Sequence, residues 1–542
     1  MALAGGALVA SLTLGAASST FRSDDPLSRE PETQDASGVK EWTIDLFVDL
    51  TTNMFGKPGD SATGVRAGNV NTIDEVPDSS WFTNRIGTRP ISIDEAVNGA
   101  HSGRQPAPGK WTVIGAKEAG FAPGFTIQDS AGEVWFVSFD ARDYPEAATA
   151  AILVANNIFW TLGYFQVDNV LTIVDPSQLV IGKDATVRPM SGATRQMRKG
   201  DLDDVWRRAH RSADGTYRAV AARRLPGRPL GGFRYYGTRP DDPNDIVPHE
   251  HRRELRALRV FGAWTNLVDM KAGNTLDVLI TENGRGVVRH YLQDVGSTFG
   301  TGAMAPREYD EGWEHLYQGE LLRKRLVLLG FPTPEWAKLP YVEKPAIGRF
   351  EGQGFDPAEW KPRVPTAAYR HAQADDLFWA ARRVTAFSDE MIRALAKTGR
   401  YSDPESERLL ADVLIQRRDK IAAAYLTAVN PLVNFQLSPD GVLSFEHAAA
   451  AARVGTAPAA GYELSWARFD NTTGAVAGIG ESRVTPNQQA KSPGPLPDAV
   501  GSFVRIRVRT ATPSSESEKV PVTVYFRRTV QGWSLVGLER TA

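Results

Sequence analysis

The sequence predicts an α+β protein with a two-lobed body, strand-rich in its first part and helical in its second, followed by a C-terminal all-β module. Three observations carry that expectation. Short strands bounded by Gly and Pro cluster between 111 and 225. Apolar residues at helical spacing dominate residues 249–431. From residue 432 onward the pattern returns to alternation.

Taken in order, residues 1–20 form a signal-peptide-like segment. Residues 1–21 carry no charged side chain, Ala7 to Ala17 is apolar, and Gly15 and Ala17 suit the −3 and −1 positions of a cleavage site. A positively charged start is missing. The competing reading, a short membrane anchor, suffers from the segment's dilution in Leu, Ile and Phe. Export to a periplasmic or extracellular setting is the expectation, with a cytoplasmic chain as the alternative. No other stretch approaches 18 continuous apolar residues, so the sequence offers no integral span beyond the first segment.

Residues 21–110 are rich in Pro, Gly, Asp and Ser, with one helical or mixed patch near Trp42–Phe55. The run Glu75 to Arg85 mixes aromatics with cap and turn residues, which predicts an ordered extension docked on the body. Residues 111–248 supply strands at Trp111–Ile114, Phe125–Gln128 and Val134–Phe139. A helix follows, with Asp143 as cap and Pro145 in its first turn, and Gly163 ends it. Strands at Val170–Val174 and Tyr217–Leu225 lead into an irregular bridge, Pro226–Pro248.

Residues 249–431 open with a helix over Glu250–Leu267. Asn283-Gly284, a strong hairpin-turn signal, separates strands Leu276–Thr281 and Val287–Leu292. A mostly helical pattern then runs from Glu314 to Val429, interrupted by a Pro-rich stretch at 332–365. Residues 432–542 read as a β-sandwich-like module, with strands at Tyr462–Phe469, Val504–Val508, Val520–Phe526 and Trp533–Leu538.

Composition removes several classes of function. Hydrophobic residues at 42% and charged residues at 23% fit a globular chain of 542 residues. The 62 Lys and Arg against 64 Asp and Glu leave a net charge of −2, which argues against a nucleic-acid binder. With no cysteine, disulfide scaffolds, thiolate metal sites and a Cys nucleophile are excluded.

One constellation carries chemistry. Asp269-Met-Lys271-Ala-Gly-Asn274 has the form D-x-K-x-x-N, follows a helix and precedes the Asn-Gly hairpin. The hairpin's second strand runs into Asp294-Val295-Gly296. Helix, polar loop, hairpin and D-x-G in this order resemble the C-lobe of the protein-kinase-like superfamily, including its atypical spore-coat H and HipA-type branches. The resemblance implies that Asp269 is the catalytic-loop aspartate, Lys271 the phosphate-facing lysine, and Asn274 and Asp294 the Mg²⁺ ligands of an ATP-dependent phosphotransferase. The acceptor, a protein or a small molecule, is not named by any motif, and neither is the oligomeric state.

The first lobe departs from that pattern. Where its third strand should present a lysine, the sequence has Ser138. Lys117, on a neighbouring strand, is the candidate to face nucleotide phosphates, and Glu146 is the nearest match to the helix glutamate that would partner it. A catalytically silent scaffold of the same fold is therefore an alternative. A third reading is a divalent-metal hydrolase using His249, Glu250, His251 and Glu254 with His290 and Asp294, although the spacing is not H-E-x-x-H. The Asp-rich bridge Arg239–Asp245 is expected to be solvated turns, with Ca²⁺ binding as its alternative. The charges of Asp375–Arg418 are expected to form a solvated face.

Overall fold

The computed structural model describes residues 19–116, 122–188, 193–308, 310–331, 333–341 and 343–540. Most of the signal-peptide-like segment and Lys117 lie outside them. No helix among the described residues is long and apolar enough to cross a membrane.

The first lobe is a seven-stranded mixed sheet built from β1 (Trp111–Ala116), β2 (Gly124–Gln128), β3 (Val134–Phe139), β4 (Asn169–Val174), β5 (Leu179–Val187), β6 (Arg195–Gln196) and β7 (Tyr217–Arg223). Their spatial order is β4-β7-β3-β2-β1-β5-β6, antiparallel except where β1 meets β5. Trp135, Val137 and Phe139 alternate inward from β3 in the pleat's two-residue period. That face joins a core closed by helix Lys199–Arg208, through Val205 and Trp206.

The helices before the C-terminal module are, in chain order, α1 (Leu46–Thr51), α2 (Ile93–Asn98), α3 (Ala147–Leu162), α4 (Lys199–Arg208), α5 (Arg253–Arg256), α6 (Leu258–Thr265), α7 (Gly319–Val327), α8 (Ala367–His371), α9 (Ala374–Thr385), α10 (Asp389–Lys397) and α11 (Pro404–Tyr425). α3 joins the lobes. Ala151, Val154, Ile158 and Phe159 bury into one large core with α6, α9, α10 and α11. Its N-terminus is satisfied by Asp140, not by Asp143. Asp140 accepts from the Thr149 amide and hydroxyl, both at 2.8 Å. Glu146, at φ 68°, turns the chain so sharply that Asp143 is left exposed.

The expected helix over Glu250–Leu267 is broken. A short 3₁₀ turn (His249–His251), α5 and α6 replace it, with Arg252 extended between the first two. The cause is charge. Arg252, Arg253 and Arg256 are all within 1% of complete burial, and each must reach its own carboxylates. Arg252 meets Glu30 and Glu254, and Arg253 meets Asp74, Asp375 and Asp376. Arg256 meets Asp376 at 3.1 Å. Two of these partners, Glu30 and Asp74, lie in the N-terminal extension, which is thereby pinned to the body. Trp81 and Phe82 bury beside them, as the Glu75–Arg85 run predicts.

The Asp-rich bridge is only partly solvated: Asp241 is exposed, whereas Arg239, Asp242 and Asp245 are buried. Asp245 accepts from the Arg239 amide and pairs with His249 at 2.8 Å. The charges of Asp375–Arg418 form the expected solvated face at Asp389, Glu390, Arg393, Lys397, Glu405 and Arg408, while Asp376, Arg383 and Arg417 are buried.

A three-stranded sheet (β8, Arg228–Gly231; β9, Leu276–Glu282; β10, Arg285–Tyr291) stands on the second lobe in the order β10-β9-β8. The C-terminal module begins at Leu432. It comprises β11 (Leu432–Leu437), β12 (Val442–His447), β13 (Tyr462–Phe469), β14 (Val476–Gly478), β15 (Arg483–Thr485), β16 (Gln489–Lys491), β17 (Phe503–Thr510), β18 (Val522–Thr529) and β19 (Gly532–Glu539). Two antiparallel sheets, one of β11, β12 and β16 and the other of the remaining strands, share a core of Phe435, Phe445, Trp466, Ile506 and Val524. Phe21 of the extension inserts between Phe469, Phe503 and Tyr525 on this module.

Candidate active site

α6 ends at Asn266, which takes the left-handed conformation at φ 56° and turns the chain out of the helix. Leu267, Val268 and Met270 stay buried in the main core, so Asp269 between them is turned toward the surface. The loop closes on itself with a 3₁₀ turn at Ala272–Asn274. The Asn274 side-chain amide donates to the Asp269 carbonyl at 2.7 Å. Thr275 fixes the exit through Phe233 and Ala272.

From there the chain runs out along β9, turns at Asn283-Gly284, both at positive φ, and returns along β10. The register pairs Tyr291 with Leu276. Equal strand lengths therefore bring the residues after β10 back beside Asn274, and the Asp294 amide donates to the Asn274 carbonyl at 3.1 Å. Asn274 thus joins Asp269 through its side chain and Asp294 through its backbone.

The Asp294 carboxylate accepts from the Gly296 amide at 3.0 Å. Gly296 approaches α3 so closely that a Cβ there would lie 2.8 Å from Ile152. The cleft above is lined by Ser138 and Phe139 of β3, Thr149 and Ile152 of α3, and Asp294 and Ser297 from below. Gly302 and Ala303 close one side, and the free volume is about 70 Å³.

Electrostatics distinguish the carboxylates. Burial alone would raise the Asp269 carboxyl, but Lys271, Arg307 and Arg363 outweigh it and hold the group below the ordinary carboxylate range. Lys271 Nζ lies 2.8 Å from Asp269 Oδ2, and Arg307 stands 4.0 Å from the same oxygen. Arg307 also donates to Ser297 Oγ at 2.6 Å, which ties the Asp269 side of the site to the segment after Asp294. Beside Arg307 and Arg363, Glu311 is pushed up by burial despite both arginines.

Among the other expected residues, Glu146 does not line the cleft. Its carboxylate accepts from the Ser402 amide at 2.9 Å, in the loop between α10 and α11. No charged residue occurs anywhere in α3. Asp140, a buried carboxylate of the first lobe, instead bonds Thr149 of the cleft wall; its carboxyl is raised by burial, and Arg218 lies 3.8 Å from it.

No protein-family model matches this chain, and no curated protein matches it. Two solved structures show a distant likeness. One is a crystal structure of the Golgi casein kinase with Mn/ADP bound, 9% identical, with a TM-score of 0.29 over 61% of this chain and 76% of that one. The other is a crystal structure of the Golgi casein kinase, also 9% identical, with a TM-score of 0.30 over 62% and 77%. Likeness at this level transfers no activity.

The histidine cluster is committed elsewhere. His249 pairs with Asp245, His251 with Asp60 at 3.2 Å, and His290 with Asp277 at 2.7 Å. Glu250 accepts from the Asp60 and Gly237 amides, and Glu254 from Asn69 and Arg252. Among the described residues no group of three or more His, Asp or Glu is poised to hold a metal. The hydrolase arrangement is therefore not assembled.

Sequence reasoning missed Ser297, Arg307, Glu311 and Arg363. They lie 28 to 94 residues beyond Asp269, in stretches without regular periodicity. No local pattern marks them.

Proposed function

We propose that this chain is a kinase-like phosphotransferase that binds a Mg²⁺-nucleotide at Asn274 and Asp294 and transfers a phosphoryl group to a hydroxyl acceptor, a protein or a small molecule. The observation that carries the reading is the double engagement of Asn274, by side chain to Asp269 and by backbone to Asp294. It gathers a base candidate and a metal-ligand candidate at the meeting of two lobes.

The donors suit a hard divalent cation. Asp294 offers carboxylate oxygen, and Asn274 has its amide nitrogen committed to Asp269, which leaves its amide oxygen as the available donor. When bound, such a cation would neutralise charge on phosphate oxygens. Asp269, kept ionised by its cationic neighbours, is suited to accept the proton of an acceptor hydroxyl. Arg307 contributes fixed positive charge beside it. The described walls around Asp294 leave about 70 Å³ of free volume. The proposed setting is extracytoplasmic, resting on the N-terminal segment alone.

A second reading, a silent scaffold with this fold, is favoured by Ser138 at the lysine position and by the uncharged α3. Thermal unfolding with millimolar ATP and Mg²⁺ or Mn²⁺ separates the two. A ligand at 100 times its Kd stabilises by about 2.7 kcal/mol. The phosphotransferase reading expects a shift in the wild type that Asp294→Ala loses. No shift with either metal assigns the scaffold.

A further inference from the structure

α3 carries no charged side chain, and Thr149 is the one polar residue in its first two turns. The Thr149 hydroxyl is engaged in both senses. It donates to Asp140 Oδ2 at 2.8 Å and accepts from Arg218 Nε at 2.8 Å. Arg218 stands near the start of β7, with its side chain only 14% exposed. Its other two nitrogens reach the second lobe. Nη1 donates to the Arg400 carbonyl at 2.7 Å and Nη2 to the Gly399 carbonyl at 2.6 Å, both just past the end of α10. One side chain therefore fastens the sheet, α3 and the second lobe together.

From Thr149 the constraint runs on to the candidate metal ligand. Ile152 lies three residues later, on the same side of α3, and both residues line the cleft. A Cβ on Gly296 would lie 2.8 Å from Ile152 and 3.3 Å from Asp294 Oδ1. The Gly296 amide donates to that same oxygen at 3.0 Å. Close-packed groups transmit displacement, so a tilt of α3 would carry Ile152, Gly296 and the Asp294 carboxylate with it.

We infer that Arg218 is a positioning residue for Asp294: through the Thr149 hydroxyl it holds α3 where Ile152 and Gly296 aim the Asp294 carboxylate into the cleft. This role deepens the phosphotransferase reading and rests on it. It requires arginine and not merely a cation. Three acceptors, on α3 and on the second lobe, are served at once by three nitrogens of one planar fork, whereas a lysine brings a single nitrogen. It equally requires a hydroxyl at position 149, because only that group donates to Asp140 and accepts from Arg218 together.

Calorimetric titration of the full chain with Mn²⁺ and ATP, below the unfolding midpoint of every variant, tests it. The wild type should bind and Asp294→Ala should not. Thr149→Val keeps the shape and removes the hydroxyl; it should weaken binding about tenfold or more, as when a partner that orients a metal ligand is lost. Thr149→Ser restores the hydroxyl and should bind within about twofold of the wild type. Arg218→Lys keeps the charge, loses the fork, and should behave as Thr149→Val. A purely structural role would lower the unfolding midpoint and leave the affinity of the folded protein unchanged. Equal affinity in wild type, Thr149→Val and Arg218→Lys, with Asp294→Ala still deficient, overturns the inference and leaves the phosphotransferase reading standing. Equal weakening by Thr149→Ser and Thr149→Val also overturns it, since the hydroxyl would then carry nothing. No binding by the wild type, or full binding by Asp294→Ala, overturns the reading of Asp294 and this role with it.

Discussion

The indole of Trp81 lies flat on the imidazole of His290, with ring centres 3.5 Å apart and planes 11° from parallel. Trp81 belongs to the N-terminal extension and His290 to β10, four residues before Asp294. His290 also pairs with Asp277 of β9, which in turn holds the buried Arg239 at 3.0 Å. The extension therefore presses on the hairpin that delivers Asp294 to Asn274.

Trp81→Ala should destabilise the chain by about 3–5 kcal/mol, as for other buried aromatic truncations. Urea unfolding measures the loss. Limited proteolysis should show new cleavage in residues 60–110 before the body is cut. A variant that resists protease as well as the wild type would show that Trp81 does not hold the extension down.

Asn274→Asp replaces the donor to the Asp269 carbonyl by an acceptor. A loss of about 1–3 kcal/mol is expected, while the carboxylate keeps an oxygen donor for a divalent cation. Retention of full stability in urea unfolding would detach Asn274 from the loop's closure.

Arg253 and Asp376 are both fully buried and 3.0 Å apart. Breaking this pair from one side, by Arg253→Met, should cost about 3–5 kcal/mol, because the remaining carboxylates lose a shared cation. Arg253→Met/Asp376→Leu should cost less than the sum of the single variants. Strict additivity in denaturant melts would show that the two residues are not coupled.

Burial holds the imidazoles of His315, His371 and His447 below their ordinary range. Each folded value lies under the unfolded one near 6.5, so the unfolded chain takes up protons first. Their contribution is complete above about pH 6.5 and is lost as pH falls toward the folded values. Stability should decline between pH 7.5 and 5.5, by at most about 1.4 kcal/mol per pH unit for each histidine. Asp269, held low, keeps its charge throughout this window. His447→Asn retains an acceptor for the Ala450 amide without titrating, and should flatten the decline. A pH-independent stability in this range would refute the argument.

The parts of the site that sequence made legible are local. Asn283-Gly284 fixes the hairpin, the hairpin fixes the return of Asp294, and D-x-K-x-x-N closes within six residues. The illegible parts depend on distant partners. Nothing near Arg252, Arg253 and Arg256 announces that Glu30, Asp74 and Asp376 will draw them inward and break a helix that local periodicity makes continuous. β5 went unread because its burial alternates poorly, and α4 because charge masks its apolar face. Arg307 and Arg363 reach Asp269 only through the folded loop, so no spacing rule finds them.

The seat of Phe21 has a consequence for how the molecule is made. Its backbone amide and carbonyl bond the side chain of Asn471, and Arg527 reaches the carbonyls of Arg22 and Asp25. Synthesis proceeds from the N-terminus, so residues 20–25 emerge some 500 residues before β18, which carries Tyr525 and Arg527. Until β18 is made that strap lacks its full seat, and the extension it anchors must wait while the sheet and the helical core form behind it. Completion of β18 and β19 then acts as a latch on a segment made some 500 residues earlier.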